Sequence, residues 1–216
     1  MASSGRALRD QNVQIDQVYC SPSLRCVQTA VGIIKGMESR TLSINIEPGL
    51  YEWTRWCGSE LPSWMEAEEF AKLGYPVNDC YSPVMRPADL WLTETLNDYY
   101  DRSFALIREI LRNHDKGTVL LVAHGPSMDA LTRQICGGAP RTVEELMSKL
   151  RQIPYLACLQ IQEQCKSGDT DSLNNKNGGS SEVWKYAGSP IPSLTHSANP
   201  SFDPEFVLLL IAMEII

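Results

Sequence analysis

The stretch from Val18 to Ala30, VYCSPSLRCVQTA, sets Cys20, Ser21 and Arg25 in a polar turn between an apolar run and a helical pattern. Two kinds of phosphate chemistry use these residue types. In one, a thiolate attacks while an arginine holds the oxyanion. Such loops place five residues between Cys and Arg, whereas SPSL places four here. Cys20 also closes an apolar run instead of preceding a glycine-rich nest, so it reads as a small buried hydrophobe. In the other, the unpaired N–H groups and partial positive charge of a helix N-terminus hold an anion. Ser21 stands at such a start, and Arg25 can reach back to it because helical side chains lean toward the N-terminus. The segment is therefore read as a phosphate cradle built on Ser21 and Arg25, with a solvated helix charge as the plainer alternative for Arg25.

A cradle needs elements to position it, and apolar runs rich in branched residues alternate here with segments of helical period, the pattern of α/β architecture. VQIDQVYC predicts a strand. From Ser21 as N-cap, with Pro22 at the first helical position, Leu24, Val27, Val31 and Ile34 predict a helix stopping near Gly36. LSINIEPGLYEW predicts a second strand that breaks at Pro48 and Gly49, followed by a lid or insertion dense in Trp, Gly and Pro. Tyr51, Trp53, Trp56 and Trp64 there suit either the wall of an aromatic pocket or a cluster anchoring a long loop. TETLNDYYDRSFALIREILRNH predicts a long helix. GTVLLVAHGPSMDALTRQICGG predicts a central strand feeding a helix, which puts His124 at the carboxyl end of a strand, where open α/β sheets place ligands. YLACLQIQEQ and EVWKYAG predict a late hairpin whose connection, 166–181, is polar and reads as disordered.

Composition bounds the function classes. The 216 residues suit one domain (1–216), and 26 acidic against 19 basic residues give a net charge of −7. That balance argues against a sequence-independent grip on nucleic acid or anionic membrane, so any anion site is local. Seven cysteines without a CxxC pair point to reduced thiols and a cytoplasmic protein. The atypical apolar tail 206–216, FVLLLIAMEII, is too short to span a bilayer and is expected to pack as a last strand or helix, with an aggregation-prone end as the second reading. Scattered histidines and unpaired cysteines give no metal-ligand spacing, and no cofactor is expected.

Ser21, Arg25, Thr29 and Ala30 match the S-x-x-x-R-x-x-x-T-A signature, and the chain resembles the histidine phosphatase superfamily. With IEPGLYEWTRW, LLVAHGPSMDA, RQIPYLACLQI and SLTHSANPSF in the same order, it is similar to the carboxy-terminal phosphatase domain of the suppressor of T-cell receptor signalling proteins, from about Gly5 to about Phe202. The insect ecdysteroid-phosphate phosphatase is similar to the same set. The resemblance implies a phosphoglycerate mutase-like three-layer α/β sandwich with a mainly parallel sheet, no metal, and hydrolysis of phosphate monoesters through a phosphohistidine. Protein phosphotyrosine is the favoured substrate, a steroid phosphate the alternative, and a homodimer a further expectation. It also implies that Arg25 binds phosphate oxygens, that His124 is the second histidine stabilising the phosphoryl group, and that Glu52 is the general acid. Taken singly, His124 also reads as a buried ring, and Glu52 or Glu47 as a strand-end surface group.

The family's nucleophilic histidine sits in an R-H-G motif ending its first strand, and these residues contain no R-H-G. Their histidines are His114, at a predicted helix end, His124, and His196 in the late T-H segment. The expectation is therefore a truncated or spliced form, or an incomplete gene model, that lacks the first central strand of its sheet. Phosphohistidine turnover would be absent or severely reduced, which leaves a non-catalytic phosphate- or partner-binding fragment as the alternative function.

Overall fold

The computed structural model describes residues 2–164, 183–192, 194 and 208–215. The expected 166–181 loop and His196 lie outside the described residues. The first element, α1 (Ala2–Asp10), has no counterpart in the sequence reading: it is a short, mainly polar helix held by tertiary packing. β1 (Gln17–Cys20) follows, then α2 (Leu24–Met37), β2 (Ile44–Ile46) and two 3-10 turns, Pro48–Leu50 and Thr54–Cys57. α2 starts later than its sequence signals. Ser23, not Ser21, is the N-cap, and the helix ends when Glu38 turns into the left-handed region. Gly36 is no stop. It is the point where α1 crosses α2, and a Cβ there would stand 2.3 Å from the Ala2 carbonyl oxygen.

α3 (Ala67–Lys72) precedes α4 (Leu96–Arg112), whose start is set by a reciprocal cap: Asp98 N–H donates to Thr95 Oγ1 at 3.2 Å and Thr95 N–H to Asp98 Oδ2 at 2.8 Å. β3 (Gly117–His124), α5 (Ser127–Thr132), α6 (Val143–Leu150), β4 (Ala157–Gln164), β5 (Val183–Gly188) and β6 (Leu208–Ile215) complete the described order.

The six strands form one sheet in the order β2-β1-β3-β6-β4-β5. β1 is parallel to β2 and β3, and β4 is parallel to β6, while β3–β6 and β4–β5 run antiparallel. The expected hairpin is thus β4–β5. β3 explains its own unalternating sequence, because it is covered on both faces. Leu120 and Val122 pack with Val27, Ile33 and Leu8 on one side, and Val119, Leu121 and Ala123 with Leu106, Ile107 and Ile110 on the other. Two helical layers and the sheet between them make the three-layer sandwich. Each fully buried Leu or Ile contributes roughly 1.5–3 kcal/mol to holding those layers together.

The expected gap in the middle of the sheet is filled. The apolar tail supplies β6, which pairs along its length with β3, from His124↔Leu208 to Gly117↔Ile215, and with β4 on its other side. Backbone donors and acceptors of β3 and β4 that would otherwise face nothing find partners there. Among the described residues, no helix is long and apolar enough to cross a membrane.

Candidate active site

The three parallel strands β2, β1 and β3 end at one edge of the sheet, and the chain beyond each carries a polar group. Ser21 follows β1, whose ladder extends one step through the Ser21 N–H to the Val122 carbonyl at 2.9 Å. His124 is the last residue of β3. Glu52 follows the 3-10 turn beyond β2, where Glu47 N–H binds the Cys20 carbonyl at 2.8 Å. Arg25 projects from the first turn of α2.

The structure brings all four together. Arg25 Nη2 stands 2.5 Å from Glu52 Oε1 and 2.8 Å from His124 Nδ1. Ser21 Oγ lies 2.7 Å from His124 Nε2. A guanidinium has donors only, so Nδ1 is the acceptor and carries no proton. The proton of the ring is then on Nε2 and is donated to Ser21 Oγ. Burial, and next the positive charges of Arg25 and Arg102, hold His124 well below the ordinary imidazole value. The ring is a neutral acceptor toward Arg25, not the imidazolium that charge neutralisation would use.

A cavity of about 860 Å³ opens onto this cluster, lined by Ser23, Leu24, Arg25, Tyr51, Glu52, Trp56 and Trp64 among others. Ser21 is fully buried behind it and spends its hydroxyl on His124, so the part of the cradle that faces the cavity is Arg25 and Ser23. Among the described residues, Arg25 Nε is a buried donor without an acceptor. Tyr51 stands edge-on to His124, with ring centroids 5.4 Å apart, and 4.8 Å from Trp64. Trp53 leaves this wall; it is buried beside Trp56 and donates from Nε1 to the Glu94 carbonyl at 2.9 Å.

Other expected candidates fall elsewhere. Glu47 is fully buried, and its carboxylate accepts from Gly49 N–H, Tyr81 OH, Val84 N–H and Met85 N–H at 2.7–3.1 Å, which makes it the post that holds the 81–85 loop. Cys20 is buried, its thiol pushed well above the ordinary value, and it donates to the Ser21 carbonyl. His114 bonds Tyr19 OH at 2.8 Å, on the far side of the sheet edge. Among the described residues, no cluster of three or more His, Cys, Asp or Glu is placed to hold a metal ion.

The family model for the histidine phosphatase superfamily (branch 1) matches residues 2–163. The chain belongs to the histidine phosphatase superfamily. It is 37% identical over 209 residues to mouse ubiquitin-associated and SH3 domain-containing protein B, covering 95% of this chain and 31% of that protein. It is 34% identical over 202 residues to the Drosophila melanogaster ecdysteroid-phosphate phosphatase, covering 92% of this chain and 25% of that protein. The chain therefore spans about a quarter to a third of the length of these relatives. Its fold matches the crystal structure of the Bombyx mori ecdysone phosphate phosphatase bound to tungstate, with a TM-score of 0.61 at 22% identity over 94% of this chain and 73% of the other.

The cluster also includes residues that sequence reasoning missed. Cys26 Sγ lies 3.8 Å from His124 Nε2 and donates to the Ala123 carbonyl. Ser127 Oγ accepts from His124 N–H at 3.4 Å and meets Tyr99 OH at 3.1 Å. The helical period of 93–114 marks Tyr99 only as core, and no motif singles out Cys26 or Ser127.

Proposed function

We propose that this chain binds a phosphate monoester at Arg25, and that the 216 residues by themselves turn it over slowly or not at all. The observation that carries the reading is the fork of Arg25 on the cavity wall, with its Nε–H lacking a protein acceptor. A phosphate oxygen completes that donor set once the guanidinium turns its buried Nε–H toward the cavity. Glu52 and the incoming phosphate compete for Nη2; as the ester draws the guanidinium, the carboxylate is freed to take up a proton and becomes the group that could return it to a leaving oxygen. His124 Nδ1, relieved of Arg25, can then accept a proton and face the phosphoryl group as imidazolium.

What this site lacks among its assembled residues is an attacking group. His124 is fully buried with both nitrogens engaged, and Cys26 has its thiol pushed up to about 12, chiefly by burial. The alcohol portion of the ester rests against Tyr51, Trp56 and Trp64, which favours an aryl phosphate such as phosphotyrosine. The cavity's size, well beyond one phenyl ring, supports a steroid phosphate as the second reading.

Calorimetric titration with tungstate, as a phosphate mimic, and hydrolysis of p-nitrophenyl phosphate test the reading together. One tungstate per chain, binding weakened about a hundredfold or more in Arg25→Ala, and hydrolysis at the level of that variant are expected. Robust turnover that vanishes in Arg25→Ala sinks the slow-turnover reading, and no tungstate binding sinks the site. Comparing phosphotyrosine peptide with a steroid phosphate in the same titration separates the two substrate classes.

A further inference from the structure

Arg102 lies on α4, in the sequence YYDRSF, where periodicity assigns it to the polar face of an amphipathic helix. In the structure its side chain is only 8% exposed, and all five of its N–H donors are used. Nε and Nη2 bind the two carboxylate oxygens of Glu94 at 2.6 and 3.0 Å. Nη1 binds the carbonyls of Gly49 and Tyr51 at 2.7 and 3.1 Å, and Nη2 that of Glu52 at 3.3 Å. Glu94, with its side chain 4% exposed, spends its other acceptor capacity on the same strip of chain, taking Thr54 N–H at 3.2 Å, while the Thr54 hydroxyl donates to the Trp91 carbonyl. The pair therefore grips residues 49–54 from both ends through the backbone, with Glu52 in the middle.

Among the described residues that strip pairs with no strand; beside the Arg102–Glu94 pair it is held by turn bonds from Leu50 N–H to the Glu47 carbonyl and from Tyr51 N–H to the Pro48 carbonyl, and by Gly49 N–H on the Glu47 carboxylate. It is two short 3-10 turns joined by extended residues, and outside a sheet such carbonyls need side-chain partners when buried. A lysine in place of Arg102 could keep the charge beside Glu94 but not the planar fork that reaches three carbonyls. The side chain of Glu52, in turn, sets Arg25 Nη2 at the distance from which it donates to His124 Nδ1.

We infer that Arg102 and Glu94 are positioning residues that hold Glu52, and through it the Arg25–His124 pair, in the binding geometry. They touch neither the ring nor the cavity beside Arg25; they act through the backbone of 49–54. The inference rests on the phosphate-site reading for its functional meaning, but its geometry is testable without a ligand.

Two measurements on the full chain decide it. In the ligand-free protein, ring-nitrogen NMR of His124 reports which nitrogen carries the proton. A single Nε2–H species is expected in the wild type, and a mixture in Arg102→Lys and in Glu94→Gln, among molecules whose near-ultraviolet spectra show them folded. Unchanged ring shifts in both folded variants overturn the inference. In tungstate titrations, Arg102→Lys is expected to weaken binding on the order of tenfold, and to change it by less than about twofold in a Glu52→Ala background, since residues acting as a unit are not additive. Effects that simply multiply mean that Arg102 does not act through Glu52. If the wild type binds no tungstate, the phosphate reading fails while the NMR comparison still decides the clamp. Glu94→Gln is the second variant should Arg102→Lys fail to fold.

Discussion

Arg25 and His124 are joined donor to acceptor at 2.8 Å across the mouths of α2 and β3, which makes the imidazole a neutral ring for as long as the guanidinium stays in place. Folding therefore takes from His124 the proton it would hold in mildly acidic solution.

The pH dependence of stability follows. The unfolded ring takes up a proton near its ordinary value of 6.5, whereas the folded ring is held well below it. Above that pH neither state is protonated at this residue and its stability contribution is constant. As pH falls below it, the unfolded state alone gains a proton, and stability drops by up to about 1.4 kcal/mol per pH unit until the folded ring also protonates. Urea denaturation between pH 5 and 8 should show this decline in the wild type and a flatter one in His124→Asn. His114, lowered in the same direction by burial, is present in both proteins and cancels in the comparison. Identical slopes in the two proteins would mean that the folded ring takes up its proton as readily as the unfolded one.

Thiol reactivity should sort by burial. Cys80 is exposed, while Cys20 and Cys26 are fully buried and their thiols pushed up, that of Cys26 to about 12. Iodoacetamide at pH 8, followed by peptide mass mapping, should modify Cys80 within the native protein. Cys20 and Cys26 should be modified only when denaturant is added. Fast native labelling of Cys26 would contradict the packing around His124.

How much of this was legible in the sequence depends on where the information lies. β3, α4 and the β4–β5 hairpin announce themselves because burial imposes a period on residue types, and GTVLLVAH is apolar throughout since both of its faces are covered. Arg25, Glu52 and His124 were readable through family likeness, and the sheet edge brings them together. Ser21 reads along the chain as a helix cap and half of the phosphate cradle, and its hydroxyl instead partners His124, since a hydroxyl's role depends on which group stands within 3 Å and not on its neighbours in sequence. α1 leaves no sequence signal for a related reason: its mainly polar nine residues pack as a helix where Gly5 and Gly36 let two backbones touch. Arg102 and Glu47 look like surface charges along the chain, and only the carbonyls and N–H groups of distant segments make them interior.

The α1–α2 crossing gives a direct test of that last point. A Cβ on Gly36 would meet the Ala2 carbonyl oxygen at 2.3 Å and one on Gly5 the Ile33 carbonyl oxygen at 2.0 Å, contacts that side-chain rotation cannot relieve. Gly36→Val should cost about 1–3 kcal/mol in urea denaturation. It should also speed tryptic cleavage after Arg6 and Arg9 as α1 lifts away. Wild-type stability with slow cleavage would show that the helices do not approach so closely.

Closure of the sheet by β6 can be tested through the backbone alone. Ile211 stands opposite Leu121 on β3 and Leu159 on β4. Proline there removes a ladder donor from a central strand, so Ile211→Pro should cost about 3 kcal/mol or more and expose hydrophobic surface to dye binding. Unchanged stability would mean that residues 208–215 are not a central strand.

The position of β6 also bears on how the chain is made. Synthesis is vectorial, and β2, β1, β3 and their helices leave the ribosome long before Leu208 does. Until then β3 waits with one open edge and the β4–β5 hairpin has nothing to join, so the two halves of the sheet can meet only late and through contacts distant in sequence. A nascent chain of this kind offers unpaired strand edges to its neighbours on the same messenger, a template for edge-to-edge association that closes only when residues 208–215 are in place.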